Sequence, residues 1–217
     1  MQHPLILASA SPRRQAFLHA LGLDFTVVVA DIDETPAPGE APVALACRLA
    51  REKAAKVAAQ VRRSAPHALV IAADTVVAQG DVLLGKPATP AEAVTMLQTL
   101  RAAPHEVVSA VCVHPVAGGA ARTVANVTQV TMRAYTDAEI AAYVAGGDPM
   151  DKAGAYAIQH AVFNPVAQMA GCYSAVMGLP LGDFADLLAA FGVTVPQPVA
   201  PVCLAHGAEV CCRNTPA

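Results

Sequence analysis

Five consecutive apolar residues, Leu69-Val70-Ile71-Ala72-Ala73, run directly into a carboxylate, Asp74. A short, unbroken apolar run of this kind reads as a fully buried strand. A strand buried on both faces needs layers on each side, and the flanking sequence supplies helix-like segments to make them. The chain is therefore expected to fold as mixed α/β with antiparallel elements.

The neighbouring segments fit that frame. Leu5-Ile6-Leu7-Ala8 reads as a short buried strand. Ser11 then offers an N-cap with Pro12 at the first helical position; Phe17, Leu18 and Leu21 repeat at helical spacing, and Gly22 ends the helix. Phe25 to Val29 reads as a second strand, residues 35–42 as a Pro/Gly loop, and Val43 to Arg63 as a long helix with Leu45, Leu49 and Val57 on one face. Thr75 to Ala78 extends the central strand before a Gln79-Gly80-Asp81 turn. Capping boxes at Thr89–Glu92 and Thr136–Glu139 open two further helices. Between them, Val107 to Val113 and Val124 to Met132 flank Gly118-Gly119 as a hairpin. Pro180 to Phe191 is the last helix. One domain over residues 1–195 is expected, followed by a loosely held tail, 196–217, marked by Pro196, Pro198 and Pro201.

Composition removes several classes. The 217 residues are 55% hydrophobic with a mean hydropathy of +0.45, which raises the question of a membrane protein. Much of that share is alanine. The longest stretch free of Asp, Glu, Lys and Arg, Ala153 to Gly182, is broken by Gln159, His160, Asn164, Pro165, Gln168 and Gly171, so it is not read as a span. Met1 to Leu7 lacks a basic region followed by an apolar core, and a secretory signal is not expected. A net charge of −3 gives no general attraction to nucleic acid. Six scattered cysteines without C-x-x-C fit reduced thiols in the cytoplasm, with the Cys211-Cys212 pair assigned to the tail. Seven dispersed histidines form no zinc pattern. The dinucleotide and P-loop fingerprints are absent too.

Three clusters carry chemistry. Ser9-Ala10-Ser11-Pro12-Arg13-Arg14 follows a strand and opens a helix, which places hydroxyls, free N–H groups and two guanidiniums at a helix N-terminus. Cations oppose the helix dipole there, so an anion site is favoured over a plain N-cap. Asp31, Asp33 and Glu34 follow the second strand, and Asp74 follows the apolar run. Carboxylates so placed suit a hard cation or a proton acceptor, although Asp31 and Asp33 also fit a solvated turn. Asp74, after five core residues, must be partnered or functional. The chain has only four lysines, and Lys86 and Lys152 both lie in Gly/Pro-rich loops, where phosphate contact and simple exposure are equally open. The residues alone point to an α/β enzyme acting on a polyphosphate with a divalent cation, with a pure binding module as the competing class.

The order of these motifs is more specific than any one of them. Leu7-Ala8-Ser9-Ala10-Ser11-Pro12-Arg13-Arg14, Asp33-Glu34-Thr35, Leu49-Ala50-Arg51-Glu52-Lys53-Ala54, Ala73-Asp74-Thr75-Val76-Val77, Gly85-Lys86-Pro87, His105-Glu106-Val107, the run Asp148 to Gln159 and Gly178-Leu179-Pro180-Leu181 together resemble the Maf family of nucleoside triphosphate pyrophosphatases over about residues 4–193. The resemblance implies a two-lobed α/β fold with an elongated mixed sheet and a central cleft, as in inosine triphosphate pyrophosphatases. It implies hydrolysis of a nucleoside triphosphate to monophosphate and pyrophosphate with Mg²⁺, Mn²⁺ or a similar ion. The residues after the apolar strand, and the Asp151-to-Gln159 run, look like the dTTP/UTP branch; a purine or 7-methyl-GTP substrate, or a non-enzymatic role in septum formation, are the alternatives. Carried over by position, Asp74 is the proton acceptor, and Glu34 and Asp74 hold metal. Lys86 joins them as a catalytic group. Ser9, Arg13, Arg14 and Lys53 bind the phosphates, and Arg13, Thr75 and Gln159 select the base. A homodimer is implied by the family. The chain departs from the pattern at Arg101-Ala102-Ala103-Pro104, where the family often has Ser-Gly-Arg-Thr, and in the cysteine-bearing tail.

Overall fold

The computed structural model describes residues 3–213. Seven strands form one mixed sheet: β1 (Leu5–Leu7), β2 (Phe25–Val27), β3 (Leu69–Gln79), β4 (Val82–Leu84), β5 (His105–Pro115), β6 (Arg122–Met132) and β7 (Val166–Ala170). Their spatial order is β2-β1-β3-β5-β6-β7, with β4 paired to the far end of β3. β1 runs parallel to β2 and β3, and every other pairing is antiparallel. The elongated mixed α/β sheet is thus as expected.

Alternation along the strands assigns the faces. Leu5, Leu7, Leu69, Ile71 and Ala73 pack against Phe17 and Leu18 of α1 (Pro12–Ala20) and Phe184 and Leu188 of α6 (Leu181–Ala189). Ile6, Ala8, Val70, Ala72 and Val76 turn the other way, onto Leu45, Leu49 and Val57 of α2 (Pro42–Val61). Farther along the sheet, Val77, Val107 and Val130 build a separate core with α3 (Pro90–Ala102) and α4 (Asp137–Ala145). The long strands β3, β5 and β6 span all of these clusters, which gives one sheet with two lobes. Among the described residues no helix is long and apolar enough to cross a membrane.

Local signals are realised unevenly. Thr136 and Glu139 close a complete capping box on α4. On α3 only half the box forms: Thr89 accepts from the Glu92 N–H, while Glu92 Oε2 accepts from Ala88 rather than Thr89. Ser11 makes no side-chain cap on α1, and its own backbone N–H donates to Ser9 Oγ at 3.2 Å.

The continuation through Thr75 to Ala78 is present, and it puts Asp74 in the middle of the 11-residue β3. Two expectations change. β7 and the short α5 (Tyr173–Val176) occupy a region given no element from the sequence. The tail is not loose over its described part: α7 (Val199–Ala205) forms, and Val202, Cys203, Ala208 and Cys211 are buried in the first core. Its prolines are accommodated because Pro201 falls in the first turn, where a helix needs no N–H donor. Residues 214–217 of that tail, like residues 1–2, lie outside the described residues. All six cysteines are free thiols; Cys211 is buried and Cys212 exposed.

Candidate active site

One edge of β3 changes neighbours halfway. β1 pairs with Leu69–Ile71 and β4 with Val77–Gln79. Residues 72–76 lie between these partners, and a cleft of about 770 Å³ opens there, within the ~300–1,000 Å³ common for small-molecule sites. The loop leaving β1 and the first turn of α1 carry Ser9 to Arg14 into it, and the loop leaving β4 carries Lys86.

Lys53 and Asp74 form the buried centre. Lys53 lies on the apolar stripe of α2, four residues from Leu49 and from Val57, and is only 9% exposed. Asp74 projects from β3 onto the same face and is 7% exposed. Lys53 Nζ donates to Asp74 Oδ1 at 2.6 Å and stands 2.7 Å from Glu34 Oε1. Two carboxylates from distant segments therefore share one ammonium. Burial raises the Glu34 pKa, but the Lys53 hydrogen bond and charge, backed by Lys86 and Arg14, outweigh it and hold the carboxyl below its usual value.

Arg13 and Arg14 diverge. Arg14 Nε donates to the Gly178 carbonyl at 2.9 Å, while its terminal nitrogens donate to Ser9 Oγ and Thr75 Oγ1, each at 3.2 Å. Three of its five N–H groups are thereby engaged, so the residue braces the cleft wall with two donors left over. Burial lowers its pKa, Asp74 opposes the change, and Arg13 adds to it. Arg13 lines the cleft with a buried Nε that has no partner among the described residues. An unpaired donor in such a place is costly unless a ligand meets it.

The remaining expected residues separate clearly. Lys86 and Gln159, both exposed, line the cleft. Thr75, half-buried, lies on the floor. Lys152 is not a free cation: its ammonium is held by Asp148 and Asp151. Asp33 accepts from the Thr35 N–H at 2.9 Å in its own turn, and Asp31 is exposed outside the cleft lining. The solvated-turn reading therefore holds for both. Five cations, Arg13, Arg14, Lys53, Lys86 and Lys152, line the cleft with three carboxylates, Glu34, Asp74 and Asp151, a local positive excess on a chain of net charge −3. Such a cleft concentrates anions.

Sequence reasoning missed a polar seam beneath this floor. Thr75 Oγ1 lies 2.8 Å from Ser109 Oγ, and Ser109 donates to the Ala175 carbonyl at 2.6 Å. The available signal was a lone hydroxyl inside the apolar run Val107-Val108-Ser109-Ala110-Val111.

Known proteins resemble the chain over most of its length. The chain is 48% identical over 192 residues to a protein named dTTP/UTP pyrophosphatase from Myxococcus xanthus, covering 88% of this chain and 94% of that protein. It is 48% identical over 197 residues to one of the same name from Oleidesulfovibrio alaskensis, covering 89% and 88%. A third, from Desulforamulus reducens, is 44% identical over 192 residues, covering 88% and 98%. Among solved structures, a nucleoside-triphosphatase / dITP/XTP pyrophosphatase from Mycobacterium abscessus aligns at 17% identity and a TM-score of 0.38, over 59% of this chain and 72% of that one. The sequence profile of the family described as Maf-like protein matches residues 4–191, and the chain belongs to that family.

Proposed function

We propose that the protein hydrolyses nucleoside triphosphates, dTTP and UTP foremost, to the monophosphate and pyrophosphate. The observation that carries the reading is Asp74, buried and bonded to Lys53 through one oxygen only, at the centre of a cationic cleft. The names of the relatives support the substrate class.

Each residue has a role in that chemistry. Arg13, Lys86 and the spare donors of Arg14 hold the triphosphate, and Ser9 fixes Arg14 through its hydroxyl. The second oxygen of Asp74 takes a proton from a water whose oxygen attacks the α-phosphorus. The bond from that phosphorus to the bridging oxygen breaks, and pyrophosphate leaves with the electron pair. Charge spreads over the phosphate oxygens as this happens, and prepositioned cations stabilise it more than the ground state. Thr75 and Gln159 lie where they can meet the nucleoside.

The donor chemistry fits a hard divalent ion. Among the described residues no group of three or more His, Cys, Asp or Glu could hold a metal. Mg²⁺, however, is commonly held by one or two carboxylates plus substrate phosphates. Glu34 and Asp74 offer that pair, and Lys53 already occupies a cation position between them. Such an ion would offset phosphate charge when bound.

The test is pyrophosphate release from dTTP, UTP, CTP, ITP and 7-methyl-GTP with Mg²⁺, for the wild type and Asp74→Asn. Loss of roughly 10²–10⁴-fold in kcat with an unchanged circular dichroism spectrum is expected. Undiminished turnover by Asp74→Asn would remove Asp74 as proton acceptor, and a strong preference for a purine would overturn the substrate class.

A further inference from the structure

We infer that Ser109 sets the hydrogen-bond polarity of the cleft floor, leaving Thr75 as an acceptor that selects a nucleobase carrying an imide N–H. The inference rests on the nucleotide-hydrolase reading above and names the base group which that site takes.

The direction of the buried chain follows from its two ends. A carbonyl can only accept, so the hydrogen of Ser109, a fully buried residue, is committed to Ala175 O at 2.6 Å. The 2.8 Å contact between Thr75 and Ser109 then has one solution: Thr75 donates. At the other end a guanidinium can only donate, and Arg14 Nη2 gives its hydrogen to Thr75 Oγ1 at 3.2 Å. The order Arg14 to Thr75 to Ser109 to Ala175 is fixed throughout. β-sheet register enforces it, because Thr75 and Ser109 are direct partners across β3 and β5.

Thr75 lines the cleft. Thr75 Oγ1 has spent its hydrogen and one lone pair, and a single lone pair remains. The oxygen lies beside Gly178, where a Cβ would stand 3.4 Å from it, so the lack of a side chain keeps the approach open. A ligand atom meeting that lone pair must be a donor. Position 3 of uracil and thymine carries N–H, whereas position 3 of cytosine is an acceptor and would oppose it. A sugar hydroxyl is the other donor a nucleotide offers. The imide is favoured because the relatives are named for dTTP and UTP, whose bases both carry it.

The experiment measures kcat/KM for pyrophosphate release from UTP, CTP, N3-methyl-UTP and 2′-deoxy-UTP, using the full chain as wild type, Ser109→Ala, Ser109→Cys and Thr75→Val. Thermal melts confirm folding. The wild type is expected to prefer UTP over CTP and over N3-methyl-UTP by roughly tenfold or more, the scale of one misdirected hydrogen bond. Ser109→Ala frees the Thr75 hydroxyl to turn and donate, so the UTP:CTP ratio should fall by about fivefold or more. Ser109→Cys, with a weak donor in similar volume, should lie between. If Ser109→Ala does not fold, Thr75→Val, which removes the acceptor, carries the same expected loss of ratio. An unchanged ratio in folded variants overturns the inference alone. So does equal use of UTP and N3-methyl-UTP, or a loss seen only with 2′-deoxy-UTP, which would place the sugar there. No pyrophosphate release from any triphosphate by the wild type overturns the hydrolase reading and this inference with it.

Discussion

Lys53 reaches Asp74 from inside an apolar stripe: the ammonium of a residue flanked by Leu49 and Val57 on α2 stands 2.6 Å from a carboxylate in the middle of the central strand. Neither charge would be tolerated there alone, since an unpaired buried ion is strongly destabilising. Glu34, contributed by an exposed loop, makes the centre anionic overall and leaves oxygens free for a cation or a water.

Lys53→Met is therefore the most informative single change. It keeps the stem and removes the charge. The Glu34 carboxyl loses the bond and charge that hold its pKa down, so the pKa rises. A carboxylate with a raised pKa is protonated at higher pH, and the acid limb of the kcat/KM profile should move upward in pH. At pH 7 the variant should also lose on the order of 10²-fold in kcat/KM through lost phosphate stabilisation. A pH–rate series on both proteins checks this; superimposable acid limbs would separate Lys53 from the ionisation of the site.

Arg48 should matter although it touches no cleft residue but the loop. Its guanidinium grips Glu40 with two bonds, at 2.7 and 2.8 Å, and donates to the Thr35 carbonyl at 3.1 Å, one residue from Glu34. Hydrogen bonds from Arg48 and from the Ala37 N–H push Glu40 down to about 2. Arg48→Lys keeps the charge and loses the fork. About a tenfold fall in kcat, with little change in Tm, is expected from a misplaced Glu34. Equal kinetics in a steady-state assay would show that the loop holds itself.

How much of this could be read in the sequence depended on the distance over which each contact acts. The Leu69–Ala73 strand was legible because five apolar residues leave little else to be. Its continuation past Asp74 was less so, since the group that neutralises Asp74 lies 21 residues earlier. Lys53 itself had a local signal, falling in the 45, 49, 57 stripe where a lysine has no business without a partner. Ser109 had only its apolar surroundings, and its meaning needed the register that sets it against Thr75. β7, Val-Ala-Gln-Met-Ala, has one β-branched residue and forms through edge pairing with β6, across a register shift at Thr131/Met132.

A buried histidine predicts acid sensitivity. Burial pushes His105 from 6.5 down to about 4. Its Nε2 meets the Tyr156 hydroxyl at 2.8 Å, while Nδ1 is buried with no partner among the described residues. Between pH 6.5 and about 4 the unfolded chain binds a proton that the folded chain refuses, so stability rises with pH across that window. The contribution is complete above 6.5 and is lost as pH falls to about 4, a change on the order of 3 kcal/mol. His105→Gln keeps a polar group near Tyr156 but cannot titrate. Urea midpoints at pH 7.5, 5.5 and 4.5 should show a flatter dependence in the variant, and equal slopes would assign the proton elsewhere.

Residues 192–213, beyond the family match, pack on the first core. Gln197 N–H donates to the Leu21 carbonyl at 3.1 Å, Pro196 lies against Gly22, and the His206 ring sits 4.9 Å from that of Phe17. Val202, Cys203, Ala208 and Cys211 then close the core formed by α1 and α6. A chain ending at Val195 would expose Phe17, Leu18 and Phe184 to water. Burying one large apolar side chain is worth about 1.5–3 kcal/mol, so uncovering parts of several should lower stability by on the order of 5 kcal/mol. Differential scanning calorimetry of the truncated and full chains tests this, and a Tm within 2–4 °C, roughly the shift for 1 kcal/mol at this size, would mean the segment rests on the core without supporting it.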